Sequence, residues 1–81
     1  MLLRVKYFAR FREIAGLEEE EIEIVSGSTV RDLKRSILSL HPGMSSYEGT
    51  LIVARNEQFS DDNAKISPDD IIAVFPPVSG G

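Results

Sequence analysis

The residues best suited to a covalent reaction are the last six, Pro76-Pro77-Val78-Ser79-Gly80-Gly81. A terminal carboxylate is a poor acyl donor until ATP converts it to an acyl adenylate. The activating enzyme must bring that carboxylate to the α-phosphate through a narrow passage. Glycine lacks Cβ, so its backbone can approach closely and adopt conformations closed to other residues. The two prolines have no N–H to donate and cannot continue an interior strand. They hold the chain extended as it leaves the body. A stiff spacer followed by two glycines suits a tail that reaches into a partner. The plain alternative is a frayed terminus that happens to end in glycine. At about 7% glycine usage, two terminal glycines arise by chance in roughly 0.5% of chains. The adjoining prolines and apolar strand make chance a weaker account still.

No other group of residues makes a catalytic constellation. His41 precedes Pro42 at the end of a helical pattern, and spacing places no Ser or carboxylate beside it, so it reads as a C-terminal cap. Glu18-Glu19-Glu20-Glu21 reads as a solvated hairpin edge, and Asp61-Asp62 and Asp69-Asp70 as turn residues. No calcium-loop or phosphate-loop spacing is present. With no Cys there is no disulfide, thiolate metal site or cysteine nucleophile, and one His cannot build a His-rich zinc site. No metal and no stably bound cofactor are therefore expected. The 81 residues carry 13 acidic and 9 basic side chains, a net charge of −4. That balance disfavours nucleic acid and leaves room for a basic protein partner. No apolar run approaches the roughly 20 residues needed to span a bilayer. The start, Met1-Leu2-Leu3-Arg4-Val5-Lys6, has no signal-peptide pattern. The expected location is the cytoplasm, away from membranes.

The elements that must position the tail follow from periodicity. Leu3, Val5 and Tyr7 alternate with Arg4, Lys6 and Phe8, which predicts a half-buried strand. Residues 9–15 suit a short helical turn stopped by Gly16, and Glu21-Ile22-Glu23-Ile24-Val25 alternates as a second strand. Thr29 can cap a helix, with Asp32 three residues on. Val30, Leu33, Ile37 and Leu40 give that helix one apolar stripe, with Arg31, Lys34 and Arg35 off it. His41-Pro42-Gly43 ends it. Residues 44–50 read as loop, 51–55 as a strand and 56–58 as a turn, with a short strand possible at Phe59. After a turn at Ser67-Pro68-Asp69-Asp70, Ile71-Ile72-Ala73-Val74-Phe75 is apolar enough for a sheet interior. It is expected to pair in parallel with the first strand. One amphipathic helix covering one sheet face is an α+β arrangement. Residues 1–75 form one domain and 76–81 its tail.

These residues resemble the small subunit of molybdopterin synthase, a sulfur-carrier family, over essentially the whole chain. The most specific part is Phe75-Pro76-Pro77-Val78-Ser79-Gly80-Gly81, similar to that family's terminal signature. Val5 to Glu13 followed by Gly16, then Val53-Ala54-Arg55-Asn56, and Asp70 also fit. Arg55 stands where relatives usually carry an apolar residue, and Asp69 where many have Gly. The resemblance implies a ubiquitin-like β-grasp fold, a mixed four- to five-stranded sheet packed on one main helix. It implies that a ubiquitin-activating-like adenylyltransferase uses ATP to adenylate Gly81. A sulfur donor then makes the thiocarboxylate. Inside the large synthase subunit, sulfur passes to a pyranopterin precursor. Gly80 would give the narrow approach, and Pro76, Pro77 and Val78 would lie in the partner. The large subunit would supply most catalytic side chains, in a heterotetramer with two small subunits.

If Leu3, Val5 and Tyr7 face the helix, Phe8 faces outward, and Phe75 ends the last strand beside the tail. Phe8, Phe59 and Phe75 would then form an exposed docking patch. Core packing is the alternative, most open for Phe59. Arg12 resembles the family's basic contact to the activating enzyme; a solvated Arg is its plain reading. Three other functions compete with this one. A ubiquitin-like modifier would be conjugated to lysines through Gly81. A thiamine-pathway sulfur carrier would lack the Phe-Pro-Pro-Val signature. A binding module without chemistry would have a dispensable tail.

Overall fold

Alternation builds the first strand as expected. In β1 (Leu2–Tyr7), Leu3, Val5 and Tyr7 are fully buried while Leu2 and Arg4 are exposed. The structure is a computed structural model that describes residues 1–77. Ala9, with φ 53, turns the chain into a short helix, α1 (Arg10–Ala15). Gly16 ends α1 in the left-handed conformation, φ 76, where its N–H donates to the Arg12 carbonyl at 3.0 Å.

The second strand, β2 (Glu19–Glu23), starts and ends two residues earlier than the alternation suggested. Alternation marks which face a residue takes, whereas pairing sets where a strand stops. Here pairing begins straight after the turn, with Lys6 opposite Glu19 and Leu2 opposite Glu23. Ile22 and Ile24 are buried as the pattern requires, and Val25 is left exposed.

Helix α2 (Val30–Leu40) begins with a capping box. The Thr29 hydroxyl accepts from the Asp32 N–H at 3.4 Å, and Asp32 Oδ2 accepts from the Thr29 N–H at 3.0 Å. Asp therefore serves in the role usually filled by Glu or Gln. Val30, Leu33 and Ile37 are fully buried, but Leu40 is 53% exposed, contrary to the stripe. The chain turns at His41, and Met44 fills the core at that end. Residues 42–47 are accordingly a 3₁₀ helix (Pro42–Tyr47) with a buried methionine, where the sequence suggested loop.

Strands β3 (Ile52–Arg55), β4 (Gln58–Phe59) and β5 (Ile71–Phe75) complete a mixed sheet in the order β2-β1-β5-β3-β4. β5 pairs in parallel with β1 and antiparallel with β3, so it has a neighbour on each side. That is why its sequence is almost wholly apolar. α2 lies on the face carrying Leu3, Val5, Val53, Ile72 and Val74, the α+β β-grasp arrangement. Each fully buried aliphatic side chain contributes about 1.5–3 kcal/mol relative to exposure. Among the described residues, no helix is long and apolar enough to cross a membrane.

Candidate functional site

Among the described residues, no helix lies over the other sheet face. Register places Lys6, Ala73, Ala54 and Phe59 in one row across β1, β5, β3 and β4. Small alanines at the centre and larger side chains around them leave a concavity of about 650 Å³. Phe8, Phe59, Ile71 and Phe75 supply its apolar walls, and Lys6 and Glu57 its charged groups. Phe8 and Phe75 stack with ring centroids 4.7 Å apart and planes 16° from parallel. Both rings are half-buried, whereas Phe59 is 80% exposed and takes no part in the core.

Arg12 reaches this wall from α1. Its guanidinium carbon lies 5.9 Å from the Phe8 ring centroid, within cation–π range, and its Nε donates to the Tyr7 carbonyl at 3.4 Å. A longer ion pair to Glu18, at 3.8 Å, leaves the side chain half in solvent. Arg12 thus presents charge beside an aromatic surface. Pro76 and Pro77 follow Phe75 directly, half-buried and exposed respectively, so the chain leaves the sheet next to the Phe8–Phe75 stack. Val78, Gly80 and Gly81, the remaining expected site positions, lie outside the described residues.

Glu20 corrects the sequence reading, while His41 is the helix cap expected and also meets a carboxylate that spacing did not place beside it. Glu20 is no solvated edge residue: its side chain is 23% exposed, and its Oε2 accepts from the Tyr7 hydroxyl at 2.6 Å. The His41 Nε2–H donates to the same oxygen, since a carboxylate can only accept. His41 caps α2 and also packs edge-on against the Tyr7 ring, centroids 5.4 Å apart. Burial, helped by the Glu20 bond, pushes the Tyr7 phenol far above the ordinary tyrosine range. Burial also raises Glu20, but the bonds from Tyr7 and His41 outweigh it and hold the carboxyl below its usual value. A signal for this was present: Glu20, Ile22 and Ile24 share parity, so Glu20 had to point toward the core. The cluster lies on the helix side of the sheet, away from the concavity.

The acidic pairs sit at turns, as the sequence suggests, but Asp62 and Asp70 also bond side chains from distant elements. Asp62 accepts from Lys34 Nζ at 2.7 Å, and Asp70 accepts from the Ser67 N–H at 2.8 Å. Arg55 forms an ion pair with Asp70 at 3.1 Å, which explains a charged residue at a half-buried strand end. Among the described residues, no three His, Cys, Asp or Glu side chains group as metal ligands.

This geometry has known counterparts. The ThiS family model matches residues 5–81. The molybdopterin synthase sulfur carrier subunit of Chlamydomonas reinhardtii is 35% identical over 83 residues, covering 100% of both chains. The crystal structure of small archaeal modifier protein 1 from Haloferax volcanii superposes with a TM-score of 0.84 at 26% identity, over 95% of this chain and 98% of that one. A chain in the complex of subunits 1 and 2 of the molybdopterin-converting factor from Helicobacter pylori superposes at 0.68 with 27% identity, over 100% of both.

Proposed function

Because the chain belongs to the ThiS family, we propose that it is the sulfur carrier subunit of a molybdopterin synthase. The carrying observation is the open sheet face, whose stacked Phe8 and Phe75 stand where the chain departs toward Gly80-Gly81. An apolar concavity with a charged rim is the surface expected of a protein interface. Docking there would bring the chain end to a fixed place in the partner. The complex of the Helicobacter pylori subunits supports a large synthase subunit as that partner.

In this reading the chemistry belongs to the Gly81 carboxylate. A ubiquitin-activating-like adenylyltransferase spends ATP to form the acyl adenylate, releasing pyrophosphate. A sulfur donor displaces AMP, leaving a thiocarboxylate. The tail enters the large subunit, where sulfur passes to the pyranopterin precursor to build the dithiolene as the C–S bond of the thiocarboxylate breaks and water restores the Gly81 carboxylate. Gly80 gives narrow access, and Pro76, Pro77 and Val78 direct the end. Phe8, Phe59 and Phe75 dock, and Arg12 contacts the activating enzyme. This chain supplies the donor, and the large subunit supplies most catalytic side chains, in a heterotetramer with two small subunits.

Intact-mass measurement of the chain isolated from its own cells tests the reading. One terminal oxygen replaced by sulfur is the expected result. Deleting Gly81 should abolish adenylation, and a normal rate in that deletion would refute the role of Gly81. The likeness to small archaeal modifier protein 1 favours a second reading, in which a lysine amine attacks the adenylate to give an isopeptide bond. Branched Gly-Gly remnants on lysines of other proteins, without the thiocarboxylate, would select it.

A further inference from the structure

Among the described residues, Asp70 is the one charged side chain that the fold buries, at 8% exposure. Its Oδ2 accepts from Arg55 Nη1 at 3.1 Å and from the Ser67 N–H at 2.8 Å, and its Oδ1 accepts from Asn56 Nδ2 at 2.8 Å. Arg55 extends the network: its Nε donates to Ser60 Oγ at 3.2 Å and its Nη1 to the Lys65 carbonyl at 2.7 Å. Asn56 is held twice more, its N–H donating to the Ile71 carbonyl and its Oδ1 accepting from the Ile71 N–H, each at 2.9 Å.

Between Asn56 and Ser60 lie only a strained turn and a minimal strand. Asn56 and Glu57 both have positive φ, 52 and 71, as a two-residue hairpin turn of the primed type requires. Asn tolerates that conformation, but Glu does so at a cost. β4 is two residues long, sits at the sheet edge and pairs on one side only. Its Phe59, 80% exposed, has no core packing to hold it. A strained turn persists only where its surroundings over-determine it. Here they do so at both ends, through Asn56 before β4 and Ser60 after it.

We propose that the Asp70–Arg55–Asn56 network is a positioning clamp for docking, fixing β4 so that Phe59 stands ready at the rim of the concavity. It rests on the reading of the open face as the large subunit's docking surface. Asp70 and Arg55 are positioning residues, acting through Phe59 and not by touching the partner. A pre-ordered β4 loses less conformational entropy on docking than a loose one.

The test uses the full chain and the purified large subunit from the same organism. Asn56→Gly keeps the left-handed backbone accessible while deleting the side-chain bonds. Asp70→Asn is the second probe, should the first fail to fold. In the free chain, either variant should speed hydrogen exchange of the Ser60 amide, which donates to the Val53 carbonyl at 3.0 Å. The expected acceleration is about tenfold, with the β5 amides beyond Ile71, whose N–H bonds Asn56 itself, changing far less, because the opening is local. Affinity for the large subunit should fall about tenfold in the Phe59 background and less than about twofold in a Phe59→Ala background, the signature of coupled residues. Equal acceleration at the β5 amides beyond Ile71, or equal weakening in both backgrounds, would make the network a general stabiliser and overturn the clamp. Failure of the unaltered chain to bind the large subunit would instead refute the docking reading, and the clamp's function with it, whatever Ser60 exchange does.

Discussion

Replacing Glu20 by Gln tests whether the Tyr7–Glu20–His41 cluster ties β2 to the end of α2. Gln keeps the shape and one acceptor oxygen but removes the charge. Glu20 accepts from Tyr7 at 2.6 Å and from His41, and the Glu20 and His41 side chains are only 23% and 15% exposed. A hydrogen bond to a charged group is worth about 1.5–3 kcal/mol and a neutral one about 0.5–1.5. Losing about 1 kcal/mol at each of two bonds predicts a destabilisation of about 2 kcal/mol at pH 7. For a domain of this size that is a fall in Tm of about 8–16 °C. The assay is urea unfolding, read as a shift in midpoint at unchanged slope. The pH dependence has a definite sign. Burial raises the Glu20 carboxyl, and the Tyr7 and His41 bonds more than reverse this, so its folded pKa lies below the ordinary 4.5. The stability it contributes is then fully present above 4.5 and is lost as pH falls through the lower folded value. The gap between the unaltered chain and the variant should be full at neutral pH and close once the carboxyl is protonated. A gap under about 0.5 kcal/mol at pH 7, or one that survives protonation, would refute the argument.

Three further outcomes follow from the geometry. Phe75→Ala removes the partner stacked on Phe8, and should weaken binding of the large subunit at least about tenfold by calorimetry; unchanged affinity would take the aromatic face out of the interface. Thr29→Ala deletes the α2 cap and should cost about 1 kcal/mol in chemical unfolding. Glu57→Gly relieves a side chain at φ 71 and should stabilise the fold. The gain should be about 0.5 kcal/mol, the relief of left-handed strain less the added entropy of glycine, visible as a higher urea midpoint.

Much of the fold was legible because its signals are local. Alternation in β1, the Thr29 cap and Gly16 at the end of α1 each depend on a few adjacent residues. Element ends were less legible, because cross-strand register sets them, as the two-residue shift of β2 illustrates. Met44 and Leu40 exchanged expected environments because the chain changes direction at His41, and helical periodicity does not continue through that turn. The aromatic face was readable from parity alone, since Phe8 follows Tyr7 and Phe75 follows Val74. Its stack and its concavity required the parallel pairing of β1 with β5.

The sequence by itself determined the chemistry on offer. Its residues include no cysteine thiol and a single imidazole, and side-chain parity set the faces of each strand. Only the tertiary structure decided which distant residues meet. Glu20 and His41, 21 positions apart, share a hydrogen bond, and Asp70 gathers Arg55 and Asn56 from 15 and 14 positions away. Such meetings depend on strand order and on burial, which makes an unpartnered charge costly and so draws partners to it. Neither is encoded in any short window of the chain.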